Sequence, residues 1–351
     1  MVEVGKIGAE TLVLDSRYIS IFRAGKLVWK RAYRGYILPD GNLYSYRRRV
    51  RITELSGKTL TDYQIKIEIG AGDPIWKHAR SAGEDIRFCY YPEENMLSYW
   101  IEKFDPDAEE AIIWVKVPSI PANSEIEIYM YYGNPEVASA SDAVAVFEFF
   151  DDFEDGIYTD KWSPIHDITW QELNGYIEQT NDPGGGSSSN YHGLQSLKTF
   201  NSNGGWFYLT ARLFPNSNSA YDTAISLGLH PTDPGGTEAQ RDYGVMINTY
   251  SEARDLRIYY PGGYKALTQV HPYNIWYRVK IWYKGSSGFE WEIIREDTGE
   301  VYWQGSATDS AASTEDLYVF LGGDNEGMRW DDILIRKYTE PEPSVSVGAE
   351  E

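Results

Sequence analysis

Cysteine is almost missing from this chain of 351 residues. Cys89 stands alone in "IRFCYY", which excludes an internal disulfide and a cysteine-built zinc site. It sits in a strand-like run with Ile86 and Phe88 and reads as a reduced core thiol, not a nucleophile. No apolar run is long enough to span a bilayer as a helix. The first residues, "MVEVGKIGAETLVLDSRYIS", lack the charged-then-apolar pattern of a signal peptide, so the sequence is expected to be made in the cytosol without a secretion signal. Long helical periodicity is missing too. Five histidines (His78, His166, His192, His230 and His271) are scattered, with no Gly-x-Ser-x-Gly elbow and no His-Glu-x-x-His pattern. The glycine-rich stretches "NDPGGGSSSN" (181–190) and "TDPGGTEAQ" (232–240) lack the Gly-Lys-Ser/Thr of a phosphate loop and read as sandwich-rim loops.

Cations are scarce as well: 32 Lys and Arg face 53 Asp and Glu. The imbalance is uneven. Residues 1–51 carry 11 Lys and Arg against 4 Asp and Glu, so a chain of net −21 divides into +7 and −28. An acidic body repels phosphates, so nucleic acid is not an expected partner. The basic N-terminal segment is suited to an acidic protein surface, such as a neighbouring subunit; a strand "YRRRVRI" with a solvated basic face is the plainer alternative.

What the chain does have is 32 Gly, 16 Pro, 28 Tyr and 12 Trp among short alternating runs. That pattern predicts an all-β protein. Residues 1–45 read as a small attachment segment with a β-hairpin around "RAGK", too small to fold alone. Residues 46–135 predict a β-sandwich with strands near 46–53, 63–69, 86–90, 97–103, 111–117 and 125–132. Residues 136–146, "EVASASDAVAV", read as a linker. Residues 147–340 predict about ten strands in a jelly-roll sandwich, including a three-stranded meander over 275–304. The tail 341–351 reads as extended.

Three resemblances follow from these residues. "YRRRVRI", "LTDYQIKIEI", "DIRFCYY", "LSYWIEKFD" and "IIWVKVPSIPANSEIEIYMYYGNP" resemble the family known as domain of unknown function 2341, over 46–135. "FFDDFEDG…KW" and "WDDILIRKY" resemble the two ends of a concanavalin A-like (laminin-G-type) lectin domain, over about 147–340. "ISIFRAGKLVWKR" (19–31) is similar to a short hairpin of bacteriophage tail and tail-tip proteins. Together these imply an Ig-like sandwich followed by a concanavalin A-like jelly roll. They also imply a non-enzymatic virion surface protein (tail, fibre or capsid decoration) that forms a homo-oligomer. It would contact other virion proteins through residues 1–45 and cell-surface polysaccharide through the lectin-like domain. A cellular secreted or surface adhesin is the first rival, and a glycoside hydrolase the second.

The acidic clusters carry the candidate chemistry. A calcium ion takes six to eight oxygens, and the strands at the two ends of such a domain are expected to be neighbours. Strand alternation puts Ile333 and Ile335 inward, and Asp331 shares their parity. An inward carboxylate is costly without a partner, so Asp331 is the expected far-end calcium ligand, and the resemblance implies the same position. Near-end parity stays open among residues 151–155, with Asp152, Glu154 and Asp155 as candidates. The plain alternative is an acidic turn. For hydrolysis, a retaining pair needs carboxyl groups about 5 Å apart. "FEWEIIRE" offers Glu290 and Glu292 on one face, with Glu296 six residues beyond the first. The lectin resemblance implies aromatic rings and polar groups for sugars. The candidates are Trp162, Tyr191, His192 and Tyr243, with Trp170, Tyr221 and Tyr264 beside them.

Overall fold

The computed structural model describes all residues except 1, 8–9, 15–17, 25, 33–34, 91–94, 166–168, 174, 182–192, 202–205, 217–221, 229–242, 249–254, 261–262, 269–271, 309–315 and 324–326. The chain is all-β, with antiparallel pairing throughout the described sheets. It divides into two units. Met1–Val146 and Glu340–Glu351 form the first, and Phe147–Thr339 forms the second.

The first unit begins with a four-stranded meander, Val2–Ile7, Glu10–Leu14, Tyr18–Arg23 and Lys26–Ala32. The hairpin expected from "RAGK" is its last pair. A sandwich follows. One sheet runs Tyr99–Asp105, Glu110–Ile120, Leu60–Ile69; the other runs Ser344–Glu350, Tyr46–Thr53, Glu125–Tyr132, Arg87–Tyr90. Alternation places Val50, Ile52, Ile65, Ile67, Ile113 and Val115 in the shared core. Residues 344–350, read from the sequence as part of an extended tail, pair with the first long strand (Val345↔Ile52, Val347↔Val50). Residues 136–146 belong to this unit and carry the short helix Ala143–Val146. A hairpin of Tyr36–Ile37 and Leu43–Tyr44 brings Leu38 and Tyr44 into a small cluster with Cys89, Tyr129, Tyr131 and Val137. Gly35 (φ +142°) starts it: a Cβ there would lie 2.6 Å from the Tyr44 carbonyl.

The second unit is a two-sheet antiparallel sandwich. The front sheet runs Trp170–Glu172, Ile177–Gln179, Arg329–Tyr338, Trp206–Phe214, Tyr277–Tyr283, Phe289–Arg295, Val301–Ala307, and Phe149–Asp151 also pairs with Arg329–Tyr338. The back sheet runs Trp162–Ile165, Gly193–Ser196, Asp316–Gly323, Asp222–Gly228, Tyr243–Asn248, Asp255–Tyr260, Gly263–Thr268, with Phe200–Asn201 also on Asp316–Gly323. Leu209, Ala211, Val279 and Ile281 from the front meet Ile225, Leu227, Val245 and Ile258 from the back in one core. The meander read over 275–304 is present as three consecutive antiparallel strands.

Candidate functional site

The incoming and outgoing strands of the second unit are neighbours, in the register Phe149↔Ile335, Phe150↔Leu334, Asp151↔Ile333. Phe149, Ile333 and Ile335 are core residues, so Asp151 points inward with them. Its carboxylate is buried and fully occupied. Oδ1 accepts from Lys161 Nζ at 2.7 Å and from the Phe153 amide at 3.3 Å; Oδ2 accepts from Trp162 Nε1 at 2.6 Å. Burial raises its pKa, opposed by Lys161 and the indole. Asp155 lies at the surface, accepting from the Ile157 amide at 2.9 Å, and Glu154 is exposed.

Asp331 corrects the parity argument made from the sequence. Between Thr210↔Leu334 and Arg212↔Asp331 the outgoing strand has one more residue than its partner. That extra residue makes a β-bulge with Asp332 at φ +48°. Trp330, Ile333 and Ile335 therefore all face the core, and Asp331 faces outward with Arg212. Simple alternation fails because a bulge shifts parity by one.

On that outward face Arg212 is a hub. Its Nη1 donates to Asp331 Oδ2, its Nε to Glu296 Oε2 at 2.9 Å, and its Nη2 to the same oxygen at 2.8 Å. Arg278 bridges Glu296 (3.1 Å) and Asp332 (2.8 Å). Burial and the neighbouring Asp332 push the Asp331 carboxyl up to about 7 against the pull of Arg212.

Asp331 is bonded to an arginine, the inward carboxylate is Asp151, and Asp151 is bonded to a lysine and an indole. Among the described residues no group of three or more His, Cys, Asp or Glu is placed to hold a metal. Asp152, Glu154, Asp155 and Asp331 are not among any such group.

Around the hub the outward face is aromatic. Arg212 lies 4.4 Å from the Trp276 ring centroid, and Arg329 lies 4.8 Å from Tyr176 and 5.0 Å from Phe214. Phe214 and Trp276 are 5.3 Å apart, and Tyr176 and Trp276 6.2 Å. All three rings are half-buried. Farther along the same strands, Tyr208 meets Trp282 at 5.3 Å and Arg336 lies over Tyr208 at 4.8 Å. Three further cations here are paired with carboxylates: Lys280 with Glu292 (2.7 Å), Lys284 with Glu290 (2.9 Å), Arg329 with Glu178 (2.5 Å). Between the two aromatic groups lies Thr210, whose buried hydroxyl makes no hydrogen bond among the described residues.

The hydrolase candidates Glu290 and Glu292 share this face, as alternation predicts, and each is held by a lysine. Trp162, read as a sugar platform, is 1% exposed in the core with its indole on Asp151, so it presents no ring to a ligand. Trp170 is likewise buried. Tyr191, His192 and Tyr221 lie outside the described residues; Tyr243 begins a back-sheet strand, its side chain outside the description. Tyr264 is 53% exposed on the edge strand of the back sheet. Tyr208, Phe214 and Trp282 sit in strands as ordinary outward positions, and Tyr176 and Trp276 each stand just before a strand, so no local pattern marks them as a group.

A family model described as a domain of unknown function (DUF2341) matches residues 82–165. The sequence resemblance was placed at 46–135, so the match begins later and runs past the end of the first unit. No curated protein matches the chain. Among solved structures, a glycosyl hydrolase family protein from Mycobacterium fortuitum is 13% identical, covering 54% of this chain and 99% of that one, with a TM-score of 0.37. Carbohydrate-binding module CBM66 from Bacillus subtilis is 9% identical over 50% and 96% (TM-score 0.32). The CBM2 module of the evolved Dit of Lactobacillus casei BL23 phage J-1 is 15% identical over 53% and 93% (TM-score 0.35). No binding or activity carries over from likenesses of this size. No described helix is long and apolar enough to cross a membrane.

Proposed function

We propose that the second unit is a non-catalytic carbohydrate-binding module whose ligand lies along the outward face of the front sheet. The observation that supports this reading is the interleaving of half-buried rings with internally neutralised charge on a sheet's outer surface. Rings such as Trp276 and Trp282 suit the C–H faces of sugars. Paired carboxylates and guanidinium groups suit hydroxyl groups that both donate and accept. Because the charges cancel locally, a neutral glycan fits better than a polyanion. A glycan array probed with the full chain tests this, and loss of signal in Trp276→Ala is expected. An array without signal, or one unchanged by that variant, would remove the proposal.

The hydrolase rival is tested on the same glycans by reducing-end release. No turnover is expected; turnover abolished by Glu290→Gln or Glu292→Gln would establish the rival instead. The wider role we propose is a virion surface protein that assembles as a homo-oligomer and attaches through residues 1–45. It rests on the hairpin Tyr18–Arg23/Lys26–Ala32 and the basic charge of that segment. Genes for terminase, portal or tail proteins beside its own would support the virion role over a cellular adhesin.

A further inference from the structure

The first unit holds a cavity of about 440 Å³ that the reading above does not use. Its lining includes Asp40, Asn42, Arg87, Met96, Ser98 and Asp142. Arg87 is buried, and most of its guanidinium is committed. Nη1 donates to the Glu84 carbonyl (3.0 Å), the Ile86 carbonyl (2.7 Å) and the Tyr99 hydroxyl (3.0 Å), and Nη2 to the Ala138 carbonyl (2.6 Å). Nε remains. It lies 3.9 Å from Asp40 Oδ2, too far for a hydrogen bond and near enough for one atom to bridge.

Asp40 is anchored by its own turn, accepting from the Asn42 amide at 2.9 Å and the Tyr44 hydroxyl at 2.7 Å. Burial pushes its pKa up, but these donors and Arg87 outweigh burial and hold it lowered, so the carboxylate is ionised near neutrality. Across the cavity, one oxygen of Asp142 accepts from the Ala145 amide at 3.0 Å; the other makes no hydrogen bond among the described residues.

This arrangement selects a ligand chemistry. The atom between Arg87 Nε and Asp40 must accept a hydrogen bond from one and donate to the other. A hydroxyl does both. A carboxylate cannot donate, and either a carboxylate or a phosphate would set its negative charge against two aspartates. An ammonium group cannot accept and would face the guanidinium. The Met96 side chain, 36% exposed, offers a soft apolar surface to C–H groups. We infer that this cavity is a second binding site, independent of the front sheet, for a neutral saccharide that bridges Arg87 and Asp40 through one hydroxyl.

Methionine methyl NMR of the full chain tests it directly. The chain has five methionines, of which Met96 lines the cavity while Met130 and Met328 are fully buried. Glucose, galactose and N-acetylglucosamine are titrated separately, with sodium phosphate and spermidine as charged controls. A saturable shift of Met96 with at least one sugar is expected, with Met130 and Met328 unmoved. Ser98→Trp, at an exposed rim position, should weaken it at least tenfold at unchanged melting temperature. Trp276→Ala should leave it intact, which separates failure here from failure of the front-sheet reading. The inference is overturned if Met96 stays still with every sugar, responds to the charged controls instead, or titrates equally in Ser98→Trp.

Discussion

Asp151 and Asp331 lie on adjacent antiparallel strands and both are buried, but they serve opposite sides of the same sheet. Asp151 faces the core and ties the incoming strand to Lys161 and Trp162. Asp331 faces out and holds Arg212, which lies over Trp276. Neighbouring carboxylates in similar sequence settings thus divide into a structural clasp and a support for a surface. The bulge at Asp332 makes the division, because it alone decides which way Asp331 points.

Asp151→Ala should have the largest effect, about 3–5 kcal/mol, because it strands a half-buried lysine and a buried indole N–H. Asp331→Ala should cost less, about 1–3 kcal/mol, since Arg212 keeps its bonds to Glu296. Chemical denaturation measures both; if the order were reversed, the clasp would be the outgoing strand instead.

A pH series separates the two further. The folded carboxyl of Asp331, at about 7, lies above its ordinary 3.8, so between those values the folded state holds a proton the unfolded chain has released. Its stabilising contribution is complete below about pH 4 and disappears as pH rises through 7, by at most about 1.4 kcal/mol per unit. Asp151, also raised, adds the same sign. Wild type should therefore lose stability relative to Asp331→Asn between about pH 4 and pH 7 and level off above it. A flat difference would mean that Asp331 stays ionised throughout. Asp332→Gly should change least, within about 1 kcal/mol, because relief at φ +48° offsets an exposed ion pair with Arg278. Large destabilisation by that variant would show that the side chain, not the bulge geometry, is what matters.

Much of this architecture was legible in the sequence. The meander expected over 275–304 is present, and in "YRVKIWY" Tyr277, Val279, Ile281 and Tyr283 enter the core while Arg278, Lys280 and Trp282 face outward. The pairing of "FFD" with "ILI" followed from the expectation that the end strands are neighbours. What alternation could not supply was the bulge, since one extra residue leaves no mark in a run such as "RWDDILI". Trp162 was misjudged for a related reason. Read as a loop aromatic, it starts a back-sheet strand whose inward position Asp151 fixes. The return of residues 344–350 to the first sandwich was equally hidden, because "SVSVGAE" is too weakly apolar to announce its partner. The cavity at Arg87 draws on four separated segments, a convergence that local pattern does not encode.

The most direct test of the front-sheet account sets half-buried Trp276, just before a front-sheet strand, against exposed Tyr264 on the back sheet. Affinity electrophoresis of wild type, Trp276→Ala and Tyr264→Ala in gels containing laminarin, galactomannan or xylan makes that comparison. Retardation of wild type and Tyr264→Ala in at least one gel, with Trp276→Ala running free, is the expected result. Free migration of wild type in all three gels, or loss of retardation in Tyr264→Ala alone, would contradict it.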